Sequence, residues 1–415
     1  MTEHKGAQPG RRIVRRRKVF YVSGYDIRGP IWYHGIYRRE AARQAQLSGM
    51  TIAVSGRDRR GGDIAAWTVE AETAGIATVT DYTFLRWDDI VRSHWPRGTV
   101  RLWRVMANNL REYVASGVLW RLLKTSWPTF ICAFYPSAFV LVLALVTLLV
   151  GAALGAAMAW LAGWPAWTAW PVAVAVCLAG TAVGMKGLDR FFSIHWLTRI
   201  YAFNLLQARR QVPALDRRLD GFARLIAEET RAGDADEILV IGHSTGAQTA
   251  VSLLARALAI DPDLGRHGPV VSFLTLGSSI SMLSWQPEAQ WFRQALQRVA
   301  GEPAIDWIDF TIAQDGACFA LHDPVESAGL AHPPGTEPKP KLLSVKLFDL
   351  FAPDAFKRIR RNWYRVHFQY LMASDRLGDY DYFAITAGPS SLADRYAHRE
   401  TTRNFDRFKL AMLAR

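Results

Sequence analysis

Apolar and polar positions along this chain fall into strand-like and helical stretches, interrupted by one long run without charge. Arg17 to Asp26 reads as a strand entering a loop at Ser23-Gly24-Tyr25, followed by a helix through about Leu47. Three strand-like runs come next, Thr51 to Ser55, Ala65 to Glu72 and Ala77 to Leu85, separated by Gly-containing turns. Val100 to Leu123 has the spacing of one amphipathic helix, with Arg101, Arg104, Arg111 and Arg121 among Leu and Val. Beyond the uncharged run, residues 191 to about 231 return to helical spacing, with Leu205, Leu215, Leu219, Phe222 and Leu225 on one side. Ile238 to Ile241 is a short continuous apolar run, as in a parallel strand buried on both faces. Ala247 to Leu258 then carries helical spacing at Ala250, Leu253, Leu254 and Ala257. Val270 to Leu276 predicts a strand, 287–299 a helix, and 305–313 a strand broken at Gln314-Asp315-Gly316. A Pro-rich loop leads to a last strand over 342–348. The expectation is an α/β fold on a mostly parallel sheet flanked by helices.

Between Lys124 and Lys186 there is no Asp, Glu, Lys, Arg or His. A soluble core does not account for such a run, and it is read as crossing a bilayer. It divides at Trp160-Leu-Ala-Gly-Trp-Pro-Ala166 into helices of about 130–158 and 167–185, each near or above the ~20 residues needed to span. Trp127, Trp160, Trp164, Trp167 and Trp170 sit at the ends, as interfacial aromatics do. Gly151 with Gly155, and Gly180 with Gly184, offer small-residue faces for packing or for association between copies, which leaves the oligomeric state open. Arg111, Arg121 and Lys124 precede the first span and Lys186, Arg190 and Arg199 follow the second, while the connecting loop has no charge. Both termini and the flanking domain are therefore expected on the cytoplasmic side of an inner or plasma membrane. With no charge inside the spans, an ion pathway is not expected.

The formal charge of +13 over 415 residues does not lead to nucleic acid, because much of it lies in the amino-terminal tail and beside the apolar run. Residues 1–16 are expected to form a basic tail, either a solvated arm or one attracted to anionic headgroups. No secretory signal is expected before Phe20. Cys132, Cys177 and Cys318 are too few and scattered for a disulfide framework or metal cluster, which fits a reducing compartment. The division expected is 17–97 and 189–415 as two parts of one α/β domain, 98–126 as an amphipathic helix and 127–188 as a membrane hairpin. That hairpin is thus inserted ahead of the strand at 238–241.

That strand ends in Gly242-His243-Ser244-Thr245-Gly246, a Gly-x-Ser-x-Gly between a buried strand and a helix start. Glycine suits both flanking positions, where Cβ atoms would collide in so tight a bend. The chain here resembles the α/β-hydrolase superfamily, in its lipase and esterase branch, over roughly 17–49 and 237–370. The resemblance implies Ser244 as nucleophile and the Thr245 N–H as one oxyanion donor. It implies Tyr25 as the second donor, although Ser23-Gly24 stands where such lipases carry His-Gly. In this superfamily the acid and then the base follow the serine. Asp315, in the turn after a buried strand, is the expected acid, with Asp323 the competitor and Asp306 and Asp309 read as structural. Order leaves His332, His367 and His398 as bases, and His367 in Val366-His-Phe-Gln-Tyr370 is the choice. The expectation is a membrane-anchored serine hydrolase cleaving an acyl ester of lipid-like character, needing no cofactor and no metal. A hydrolase-fold scaffold without turnover is the alternative. Residues 371–415 match nothing in the resemblance.

Overall fold

The computed structural model describes residues 13–58 and 62–402. The strands are β1 (Arg16–Val22), β2 (Thr51–Val54), β3 (Ile64–Thr73), β4 (Ile76–Leu85), β5 (Glu237–His243), β6 (Val270–Leu276), β7 (Ile305–Thr311) and β8 (Lys341–Ser344). They form one mixed sheet in the order β2-β3-β4-β1-β5-β6-β7-β8. β1 runs parallel to both β4 and β5, and the pairs onward to β8 are parallel. The three runs expected to extend the sheet do so at one edge, where β2, β3 and β4 pair antiparallel. β5 is buried along its whole length, which is why its apolar run needs no polar alternation.

Among the described residues, those before His94 and after Gln207 pack as one compact unit, and 94–207 as another. In the first unit the chain begins with α1 (Gly29–Ser48) and α2 (Asp88–Ser93). Helix α1 opens on Pro30, whose missing N–H has no helical partner to lose there, and closes on Gly49 in the left-handed region.

The second unit holds α3 (Thr99–Ala115), α4 (Val118–Thr125), α5 (Trp127–Ala162), α6 (Ala169–Phe192) and nearly all of α7 (Ile194–Ala208). The single amphipathic helix expected over 98–126 is in fact two. Gly117 takes φ 74° and turns the chain between α3 and α4, although the apolar spacing continues across the break. Helices α5 and α6 are each long and apolar enough to cross a membrane, and little of either is buried. Both run longer than the expected 130–158 and 167–185. They pack closely through their small residues: a Cβ on Gly151 would meet Ala173 Cα at 2.8 Å, and one on Gly155 would meet Ala169 O at 2.6 Å. Thr147 and Thr181 join their hydroxyls at 3.1 Å between the helices. Leu141, Val142, Leu145 and Leu149 remain exposed.

Helix α8 (Pro213–Ala232) returns to the first unit. The expected helical stretch of 191–231 is broken at Arg210, φ 53°, and restarted at Pro213. The chain continues through α9 (Thr245–Ile260), α10 (Ile280–Ser284), α11 (Gln290–Ala300), α12 (Pro324–Ser327), α13 (Leu347–Leu350), α14 (Pro353–Ile359), α15 (Trp363–Phe368), α16 (Tyr382–Ala387) and α17 (Leu392–Arg395). The strand expected over 342–348 stops at Ser344, and its last residues begin α13.

Residues 371–402, part of the stretch that the sequence left without a role, are pinned to the middle of the sheet. Arg17 pairs with Glu237 at 2.6 Å with neither side chain exposed, across neighbouring positions of β1 and β5. Arg17 also donates to the carbonyls of Gly388 and Ser390, while Glu237 accepts from Ser272 and from the Leu392 N–H. Helix α16 adds an aromatic contact, with the Tyr82 and Tyr382 hydroxyls 2.6 Å apart.

Candidate active site

The turn between β5 and α9 is as tight as its glycines suggest. A Cβ on Gly242 would lie 2.6 Å from Ala247 Cα, and one on Gly246 would lie 2.3 Å from Val22 O and 2.5 Å from Ser23 O. Neither space exists for any other residue. Between them Ser244 is held at φ 59°, ψ −126°, a strained backbone for a residue with a Cβ. Its N–H donates to Leu276 O at 2.9 Å, which ties the turn to the end of β6. Gly24, at the end of β1, presses on the same turn: a Cβ there would stand 3.1 Å from Ser244 Cβ and 3.4 Å from its Oγ.

Asp315 and His367 come together across 52 positions of sequence. His367 Nδ1 lies 3.0 Å from Asp315 Oδ2 and 3.2 Å from Oδ1, and both side chains are buried. Burial would raise the Asp315 carboxyl, but the neighbouring His367, as charge and as hydrogen-bond donor, outweighs it. The Ala317 N–H and His243 act in the same direction, and the carboxyl is held below its ordinary value. An ionised carboxylate only accepts, so His367 Nδ1 carries the proton in this bond. The Tyr370 hydroxyl adds a donor to Asp315 Oδ2 at 3.2 Å and accepts from the Ile312 N–H at 2.8 Å, so the acid is fixed from two sides.

His243 connects this pair to the elbow. Its ring lies 5.0 Å from the His367 ring, and its Nε2 stands 2.9 Å from His367 O. A carbonyl cannot donate, so Nε2 bears the proton. Burial first, and then the nearby His367, push the His243 pKa down to about 3, so this ring is a neutral strut at any ordinary pH. His243 thus links the serine's turn to the histidine.

The two expected oxyanion donors also meet, in an arrangement the sequence does not disclose. The Tyr25 N–H donates to the Thr245 hydroxyl at 2.7 Å. Tyr25 therefore lies against the elbow, with its N–H bonded to a side chain. Asp26 next to it carries Arg28, whose guanidinium lies 3.7 Å from the Trp32 ring centroid and 4.6 Å from that of Phe368. These residues form an aromatic and cationic rim that sequence reasoning missed, and the run Asp26 to Trp32 gave no periodic signal of it.

Asp323 is occupied elsewhere. It accepts from the Val325 and Glu326 N–H groups as the cap of α12 and from His332 at 2.8 Å. With Glu326 these side chains bring ligand-type atoms within 4.8 Å of one another, and the cap and the His332 bond engage both Asp323 oxygens. Asp309 is buried in β7 under the Thr275 hydroxyl, as a structural residue would be. Comparison with protein-family models, curated proteins and solved structures finds no match to this chain.

Proposed function

We propose that this protein is a membrane-anchored serine hydrolase of α/β-hydrolase type that cleaves an acyl ester of lipid-like character. The observation that carries the reading is the buried Asp315–His367 pair, set beside a serine held in a strained strand-to-helix turn. A serine hydroxyl needs a base, and the base needs a carboxylate to hold its tautomer and stabilise its cationic form. In this reading His367 Nε2 takes the Ser244 proton as Oγ attacks the ester carbonyl, and returns it to the leaving alcohol. An acyl-enzyme remains for water to cleave by the same route. The Thr245 N–H steadies the oxyanion, and Tyr25 joins it once the Thr245 hydroxyl turns aside. The lipid-like substrate is inferred from the two membrane-length helices on the same chain, with both termini on the cytoplasmic side.

The detergent-purified full chain should react with a fluorophosphonate probe at Ser244. Labelling should vanish in Ser244→Ala and weaken in His367→Ala, whereas a fully labelled Ser244→Ala protein would end the assignment. One observation favours a second reading, a hydrolase-like scaffold without turnover: the Tyr25 N–H is already engaged by Thr245. Probe labelling without hydrolysis of any short-chain or phospholipid ester would favour that reading.

A further inference from the structure

Helix α14 and the turn after it bring positive charge and aromatic surface together, immediately before the helix that carries His367. From Lys346 to Arg365 the sequence has six cations, Lys346, Lys357, Arg358, Arg360, Arg361 and Arg365, against two carboxylates, Asp349 and Asp354. Lys357, Arg358, Arg360 and Arg361 are all exposed. Among the described residues the ion pair formed by this run is Lys357 with Asp354 at 3.4 Å. Both of those side chains are open to water, so the pair neutralises little. Trp363 and Tyr364 follow at 50% and 43% exposure, and Phe348 is exposed on the helix before. Cations suit lipid phosphates, and indole and phenol rings settle at the level of the headgroups.

We propose that residues 353–365 dock the first unit onto an anionic bilayer surface. Charge complementarity alone would admit any polyanion. The bilayer is the occupant argued for because the same chain carries two helices of membrane-spanning length, which would keep this segment at high effective concentration beside headgroups. The exposed rings add a component that prefers an interface to free solution. The segment also borders the candidate site: the Tyr364 ring lies tilted 4.8 Å from Phe368, and its hydroxyl meets the Arg28 guanidinium that is paired with Asp26. Docking would bring the Arg28–Trp32–Phe368 rim to the headgroup layer, whether or not Ser244 turns over a substrate.

The test is peptide-resolved hydrogen exchange on the full chain in nanodiscs of phosphatidylcholine, with and without phosphatidylglycerol. Exchange over 353–365 should slow in the anionic discs and return to the neutral-disc rate in high salt. The variant K357E/R358E/R360E/R361E should lose the protection, since each cation near an anionic surface changes partitioning roughly fivefold. Unchanged exchange in β5 and β6 would show that this variant is folded, and the salt reversal on the parent protein stands without it. Equal exchange over 353–365 in neutral and anionic discs would overturn the proposal. So would protection in neutral discs induced by a short oligonucleotide but absent with phosphatidylglycerol, which would assign the surface to nucleic acid.

Discussion

At the scale of single residues, the glycines of the elbow were legible in the sequence because their requirement is geometric and local. Gly242 and Gly246 have backbone atoms where a Cβ would go, and a five-residue pattern suffices to announce that. The Tyr25–Thr245 bond was not legible, since it depends on a side-chain torsion bridging 220 positions. Gly24 is the intermediate case, because its place in a loop was readable while its pressure on Ser244 was not. Gly24→Ala would put a methyl 3.1 Å from Ser244 Cβ and 3.3 Å from His243 O, close enough that the elbow must give by a few tenths of an ångström. Small displacements at a reacting centre are costly, about a hundredfold per ångström in rate. The fluorophosphonate labelling rate of Gly24→Ala should therefore fall by about tenfold, with the thermal transition little changed. An unchanged labelling rate would show that the position of Ser244 does not depend on this contact.

At the scale of elements, period and length were readable and partnerships were not. β5 and α9 were marked by their apolar runs, but nothing in residues 371–402 announced that they complete the sheet's centre. The signal was present in Arg17, the buried one of three cations that open β1, which required both an anion and carbonyl acceptors. Glu237 supplies the first and the turn at Gly388–Ser390 the second. The break at Gly117 escaped because an apolar stripe can continue across two helices as easily as along one. Strand β7 holds a buried titratable group with consequences for stability. Burial raises the Asp309 pKa to about 7, against the lowering effect of the Thr275 and Ser278 hydrogen bonds. Between its ordinary carboxyl value and about 7 the folded protein keeps a proton that the unfolded chain releases. This contribution is therefore least unfavourable at low pH, and stability falls as pH rises towards 7. The interval corresponds to on the order of 4 kcal/mol. Asp309→Asn, which keeps an acceptor for Thr275 without the charge, should be more stable than the parent at pH 8. The gap between them should close as pH falls towards 4, as measured by thermal unfolding in detergent at each pH. A gap independent of pH would mean that Asp309 is not the titrating group.

At the scale of the whole molecule, the uncharged run was the feature most fully readable, because spanning length and absence of charge are properties of composition alone. The sequence expectation and the helices agree in existence and differ in extent, with α5 passing both expected ends and α6 passing the C-terminal one. Helix limits in apolar sequence are set by capping, here Gly163 in the left-handed region after α5, rather than by where hydrophobicity fades. What composition suggests beyond this is a topology. Cations flank the pair on both outer sides and are missing from the connection at 163–168, a distribution that predicts a connection on the non-cytoplasmic side. A cysteine at Ala166, exposed in the connection, should react with a membrane-impermeant maleimide applied to intact cells. A cysteine at the exposed Asp234 should react only after the membrane is opened. The native cysteines give a low background in the unmodified chain, since Cys132 and Cys318 are buried and Cys177 is half-buried within α6. Labelling of both positions from one side would show that the two helices do not form a spanning pair. The proposed lipid-like substrate, inferred from those helices, would then lose its support.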